Sequence, residues 1–72
     1  MKKTKKIKIK INGKFSMISE YLSLSIFLKN LKIPLKKVAI ELNQEIIDKN
    51  KISKIKLKKN DKIEIVHFIG GG

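Results

Sequence analysis

Three C-terminal glycines, Gly70, Gly71 and Gly72, are the residues of this 72-residue chain whose type and spacing most directly suggest chemistry. They follow immediately on His67-Phe68-Ile69, an apolar run typical of a β-strand. Glycine loses more conformational freedom on ordering than any other residue, and it buries no side chain. Either the tail is an unselected frayed end, or it enters a space in which no Cβ fits. The strand directly before the glycines favours the second interpretation.

Other reactive side chains are few. The sequence has no cysteine, which excludes a disulfide framework, a thiolate nucleophile and a cysteine-based metal site. The single histidine, His67, has the chemistry of a general base, but no second titratable residue lies beside it in the sequence. We therefore interpret His67 as a partly exposed structural residue, and we expect no metal centre and no bound cofactor.

The basic charge of the chain invites a nucleic-acid interpretation. Eighteen basic residues against six acidic ones give a net charge of +12. All eighteen are lysine, whereas arginine is the residue that clamps phosphates and reads guanine edges bidentately. Composition therefore favours a solvated basic surface, and a small basic RNA-binding module stays open as an alternative.

The N-terminal residues bear on location. Residues 1–6 carry the positive charge of a signal-peptide n-region, but an alternating pattern follows where a continuous apolar segment would be needed. No apolar run approaches the length of a membrane span. The sequence predicts a cytoplasmic protein with no membrane association.

An opening β-hairpin and a helix are predicted from two different periodicities. Lysine alternates with Ile7, Ile9 and Ile11, which is typical of a half-buried strand, and Asn12-Gly13 is a strong signal for a type I′ turn. On the returning strand, Phe15 and Met17 share one face.

The apolar spacing then changes to that of an amphipathic helix. Leu24, Phe27, Leu28 and Leu31 fall at i, i+3, i+4 and i+7. Ser23 is the predicted N-cap, and the helix is expected to end at Ile33-Pro34 because the residue before proline is disfavoured in the α region.

The rest of the chain predicts three more strands, at residues 38–42, 45–47 and 62–68. Turns are expected at Asn43-Gln44 and Asn60-Asp61, and Asp48 is expected to cap one helical turn over residues 49–52. In the last strand, Ile63 and Ile65 should face the helix, whereas Glu64, Val66 and Phe68 should face away.

The predicted order is hairpin, helix, strand, short strand and final strand. This is an α+β, ββαββ arrangement with a mixed sheet and one main helix on one face, in which the first and last strands are parallel central neighbours as in the β-grasp (ubiquitin-like) fold. We expect one domain over residues 1–69 and a flexible glycine tail over residues 70–72. One core should contain Ile7, Ile9, Phe27, Leu28, Leu31, Ile63 and Ile65.

The C-terminal DKIEIVHFIGGG, with VAIELNQEII about twenty residues earlier, resembles the ThiS family of sulfur carriers in thiamine biosynthesis. The resemblance covers nearly the whole chain. Asn60 stands where the family usually has glycine, and Lys59 replaces an acidic residue of the same turn. Asparagine tolerates the left-handed backbone that such a turn requires.

The resemblance implies a chemistry for the tail. It makes the Gly72 carboxylate the reactive group, which an E1-like adenylating enzyme (ThiF-like) activates with ATP. A sulfur-transfer protein would then supply sulfur, giving a terminal thiocarboxylate that donates sulfur to the thiazole ring on a ThiG-like thiazole synthase. Gly70 and Gly71 would be recognised as part of the tail, and the chain would be a co-substrate and not an enzyme.

Two further expectations concern partners. Val66 and Phe68, together with Ile69, form the predicted partner interface beside the tail, since exposed apolar surface marks interaction sites; folding of Phe68 over a sheet edge is the alternative. A molybdopterin-synthase-type carrier stays open as a rival function, although that family tends to have a proline before its Gly-Gly and this chain has none there.

Overall fold

The computed structural model describes residues 5–68, which form one five-stranded sheet with a helix on one face. The main elements are β1 (Lys6–Ile11), β2 (Lys14–Ser19), α1 (Leu24–Asn30), β3 (Val38–Leu42), β4 (Glu45–Ile46) and β5 (Lys62–His67). Single 3₁₀ turns lie at Leu35–Lys37 and Ile52–Lys54. Within residues 5–68, no helix has the length and apolar character that crossing a bilayer requires.

The sheet order is β2-β1-β5-β3-β4, and β1 and β5 are parallel neighbours at its centre. The predicted arrangement is confirmed, including the short strand β4 that follows β3. Asn12 and Gly13 have φ values of 48° and 82°, as a type I′ hairpin turn requires. Asn43 and Gln44 repeat this geometry between β3 and β4, at 52° and 73°.

The core lies between the sheet and α1. Six of the seven residues expected there are buried, and the seventh, Leu31, is 45% exposed. The prediction for Leu31 was wrong because α1 ends at Asn30, before the helical stripe reaches it. Further core residues come from the start of α1, from β2 and β3, and from the segment between β4 and β5: Leu24, Ile18, Val38, Ile40, Ile52 and Leu57.

Hydrogen bonds at its two ends define α1. The Ser23 side chain accepts from the Ile26 N–H at 3.1 Å, which confirms the predicted N-cap. At the other end, the N–H groups of Lys32 and Ile33 donate to the carbonyls of Lys29 and Leu28, the pattern of a Schellman motif. Lys32 takes the left-handed position of this motif with φ 60°. The helix therefore ends three residues before the expected Ile33-Pro34 boundary.

Two other boundaries differ from expectation. Asp48 does not cap a helical turn over residues 49–52: its carboxylate accepts from the Asn50 N–H at 2.9 Å in a local turn, and the 3₁₀ turn begins at Ile52. β4 and β5 each end one residue earlier than predicted.

The difference between Leu28 and Leu31 gives a matched stability test. Leu28→Ala should lower the free energy of unfolding by about 2–5 kcal/mol, because Leu28 is fully buried. Leu31→Ala removes the same atoms from a largely exposed site and should cost about 0.5 kcal/mol or less. Chemical denaturation of both variants checks this, and equal losses would contradict the placement of the helix.

Lys32 offers a second test, of the helix end. Lys32→Gly should raise the free energy of unfolding by about 0.5–1 kcal/mol, because glycine adopts positive φ without the steric cost of a Cβ. The same substitution at Lys29, inside the helix, should lower it by about 1 kcal/mol. If thermal denaturation showed both variants to be destabilised, the left-handed C′ position would be wrong.

Candidate functional site

The C-terminal half of β5 extends beyond the end of β1. The parallel register pairs Lys10 with Lys62 and Ile11 with Ile63, and β1 then turns away. Asn12 continues the contact, because its N–H donates to the Ile63 carbonyl at 2.9 Å and its side-chain oxygen accepts from the Ile65 N–H at 2.8 Å. The Asn12 side chain thus replaces one backbone partner that β1 no longer supplies to β5.

On its other side, β5 is paired with β3 to its last residue. Val38 lies opposite His67, and the Phe68 N–H donates to the Lys37 carbonyl at 2.9 Å. The main chain is therefore held in place up to Phe68, two residues before Gly70, the first of the three glycines.

The N-terminal end of β5 is fixed by a second asparagine. The Asn43 side chain accepts from the Lys62 N–H at 2.9 Å and donates to the Asp61 carboxylate at 3.0 Å. The other oxygen of Asp61 accepts from the Lys58 N–H at 2.8 Å. These bonds join the β3–β4 turn to the turn before β5, where Asn60 has φ 71°.

An exposed apolar surface lies beside the end of β5 on the face away from α1. Val66 is 52% exposed and Phe68 56% exposed. Ile46 of β4 is 75% exposed and lies opposite Glu41, which in turn lies opposite Glu64 of β5. We call Ile46, Val66 and Phe68 the outer apolar surface. The Lys49 ammonium lies 5.3 Å from the centroid of the Phe68 ring, a cation–π contact at the border of this surface.

Two carboxylates accompany the outer apolar surface. Glu41 and Glu64 are directly opposite each other on neighbouring strands. Like charges in this position are unfavourable for the sheet. A partner that brings a cationic group to this point would relieve the repulsion, so the surface suits a partner that is both apolar and basic at the contact.

The predicted orientations in β5 are confirmed: Ile63 and Ile65 are buried, and Glu64, Val66 and Phe68 are exposed. Phe68 does not fold over the sheet edge to complete the core. The interface role of Val66 and Phe68 stays a prediction. Ile69 and the three glycines lie outside the described residues, as does the boundary predicted at residue 69. His67 is exposed.

Sequence reasoning missed Ile46, Lys49 and the Asn12 side chain. Ile46 had a usable signal, because a two-residue turn at Asn43-Gln44 places residue 46 opposite Glu41 on the outer face. The Asn12 contact had none, since it depends on how far β5 extends past β1.

The family comparison covers almost the whole chain: the model of the ThiS family matches residues 9–72. Among solved structures, that of thiamine biosynthesis protein ThiS from Geobacter metallireducens is similar, with a TM-score of 0.81 and 30% identity. It covers 92% of this chain, and this chain covers all of it.

Two curated proteins show further similarity. Sulfur carrier protein ThiS of Bacillus subtilis is 51% identical over 35 residues, which is 49% of this chain and 53% of that protein. Thiazole synthase of Paramagnetospirillum magneticum is 38% identical over 66 residues, which is 92% of this chain but 20% of that protein. The chain thus spans about a fifth of the thiazole synthases that it matches.

The mixed five-stranded sheet with one helix and a parallel central pair defines a β-grasp protein of the ubiquitin-like class. The chain belongs to the ThiS family.

The Asn12 bridge can be tested directly. Asn12→Gly preserves the positive φ of the turn but removes the acceptor for the Ile65 N–H, so the free energy of unfolding should fall by about 1 kcal/mol. Hydrogen exchange at the Ile65 amide should accelerate more than exchange at Ile63. Asn12→Asp, which keeps a side-chain acceptor, is the control and should protect Ile65. Unchanged protection in the glycine variant would contradict the bridge.

Proposed function

We propose that the terminal carboxylate of Gly72 is the group that carries sulfur, and that the folded body serves to deliver it to two enzymes in turn. The observation that carries this proposal is the position of the glycines, which follow a strand held by main-chain hydrogen bonds up to Phe68. The outer apolar surface beside that strand supplies the docking area.

In the first step, a ThiF-like adenylating enzyme uses ATP. A carboxylate is a poor electrophile, and attack of its oxygen on the α-phosphate, with loss of pyrophosphate, converts it to an acyl adenylate with AMP as leaving group. The catalytic residues and the nucleotide site belong to this partner, so the carrier is a protein substrate and not an enzyme. The use of ATP supports a cytoplasmic location for the reaction.

In the second step, hydrosulfide provided by a sulfur-transfer protein attacks the acyl carbon. A carbon–sulfur bond forms as the bond to the AMP oxygen breaks, and loss of the S–H proton leaves a terminal thiocarboxylate. This group is ionised at neutral pH and nucleophilic, and it donates sulfur to the forming thiazole on a thiazole synthase. The similarity of this chain to a fifth of the length of two thiazole synthases supports that partnership.

The tail composition fits both deliveries. Three extended residues span at most about 10 Å, enough to enter a narrow channel while the body docks outside. Glycines keep the tail narrow, and their backbone freedom lets one tail adopt the conformations that two active sites require. The absence of cysteine also leaves no side-chain thiol on the carrier to attack the activated ester.

Two changes at the C-terminus test this proposal without touching the core. Deletion of Gly72 leaves a Gly-Gly terminus whose carboxylate stops about 3.5 Å short of the wild-type position. An alanine added after Gly72 moves the carboxylate in the other direction and adds a Cβ. Misplacement by about 1 Å can already lower a rate on the order of a hundredfold. We expect ATP-dependent adenylation to collapse in both variants, while the melting temperature hardly changes. Adenylation of both at the wild-type rate would contradict the proposal.

The docking area is tested at Val66. Val66→Asp places a charge on the outer apolar surface and should weaken binding to the adenylating enzyme at least tenfold, measured by calorimetry, without loss of the fold. Ile26→Asp is the matched control, because Ile26 is 49% exposed on α1, on the other side of the sheet. Equal affinity of the Val66 variant and the wild type would remove Val66 from the interface.

A further inference from the structure

We propose that the outer face of β1 and β2 binds single-stranded nucleic acid, independently of sulfur transfer. The surface consists of Lys6, Lys8, Lys10 and Lys62 with Phe15 and Met17, and we call it the basic platform. The lysine content alone favours a solvated surface. The sheet register adds an exposed aromatic ring beside the charges.

The register places these side chains together. Lys8 and Lys10 of β1 lie opposite Met17 and Phe15 of β2, and Lys62 of β5 lies beside Lys10 on the other side. Residues two apart in a strand point to the same face and lie about 7 Å apart. The platform is thus a row of ammonium groups with apolar side chains along one border.

Phe15 is 68% exposed and Met17 60% exposed, although both belong to a strand whose other face contributes to the core. The ammonium groups of Lys8 and Lys10 lie 4.7 and 5.1 Å from the centroid of the Phe15 ring. These cations lie on flexible stems and are free to turn to phosphates when a base stacks on the ring. A cavity of about 240 Å³ opens at this point, lined by Lys8, Ile9, Lys10, Phe15, Asn60 and Lys62.

The charge of the platform is of one sign. Neither β1 nor β2 contains an aspartate or glutamate. The turn before β5 contributes one acidic residue, Asp61. Its side chain is buried, and its two carboxylate oxygens accept hydrogen bonds from Asn43 and Lys58. On the same face, Glu64 lies two residues after Lys62 on β5, lines a cavity with Lys10 and Lys62, and is paired with Glu41 of β3. Glu64 therefore marks the border between the basic platform and the outer apolar surface, which begins at Val66.

An aromatic ring among cations distinguishes nucleic acid from an acidic protein. The acidic side chains of a protein would pair with the lysines but would leave Phe15 without a partner. Single-stranded nucleic acid supplies both phosphates for the lysines and planar bases for the ring. Lysine contacts phosphates without reading base edges, so binding should depend little on base sequence.

The platform is separate from the tail. Lys62 begins β5 and Phe68 follows its end, so six residue-to-residue steps of extended chain, about 20 Å, separate them. An oligonucleotide bound on the platform would leave the tail and the outer apolar surface accessible. The proposal therefore goes beyond sulfur transfer and does not rest on it.

Fluorescence anisotropy of the full chain with a labelled twelve-nucleotide oligothymidylate, measured over a series of salt concentrations, tests the proposal. Phe15→Leu keeps an apolar side chain but removes the stacking surface, and it should weaken binding at least fivefold, whereas Phe15→Trp should bind as well as wild type. Phe68→Leu is the matched control, because Phe68 is also an exposed ring beside a lysine. It should leave binding unchanged.

The charge requirement is tested with a second pair of variants. Replacing Lys8, Lys10 and Lys62 by glutamine should reduce the slope of log affinity against log salt by about 0.7 for each lysine–phosphate ion pair that the replacement removes. The same replacement at Lys29, Lys36 and Lys54, which are exposed and lie off the platform, removes equal charge and should change the slope less. Circular dichroism verifies the fold of each variant.

Three results would overturn the proposal. In the first, Phe15→Leu binds as tightly as wild type. In the second, the two triple-lysine variants lose affinity equally, which would indicate a general effect of net charge. In the third, polyglutamate displaces the oligonucleotide as well as unlabelled oligothymidylate does, which would identify the platform as a surface for an acidic protein.

Discussion

The parallel pairing of β1 with β5 is the interaction on which the rest of the fold depends. It joins the first strand to the last across the whole chain, yet it consists of only two register pairs, Lys10 with Lys62 and Ile11 with Ile63. Its shortness lets β5 extend past the hairpin, where the Asn12 side chain and β3 hold it. Because of that extension, Phe68 lies beyond the end of β1, while the main chain there is still held by the segment that leads into β3.

Asparagine occupies a positive-φ position in each of three turns near β5. Asn12, Asn43 and Asn60 have φ values between 48° and 71°. The side chains of Asn12 and Asn43 also form hydrogen bonds that tie these turns to β5, which glycine could not do. Three of the four glycines in the chain are its last three residues, where the proposed sulfur delivery calls for a narrow tail.

Much of this fold follows from periodicity. The alternation before Asn12-Gly13 and the alternation in residues 62–66 predict the two central strands and their buried faces, and Ser23 predicts where α1 begins. The end of α1 was not predictable in the same way, because a lysine in a left-handed Schellman position gives no compositional signal. The basic platform also required the structure, since only the parallel register between β1 and β5 shows that Lys62 lies beside Lys10. Of the candidate site, the sequence predicts the exposed side chains on β5 but not the contribution of β4.

The central claim is that the Gly72 carboxylate carries the sulfur, and intact mass spectrometry tests it most directly. The full chain would be incubated with the adenylating enzyme, ATP and a sulfide source, and then fragmented to locate any modification. The account predicts a mass increase equal to replacement of one oxygen by one sulfur, located at Gly72 and absent when ATP is omitted. An unchanged mass with an active enzyme preparation, or sulfur located at any other residue, would contradict it.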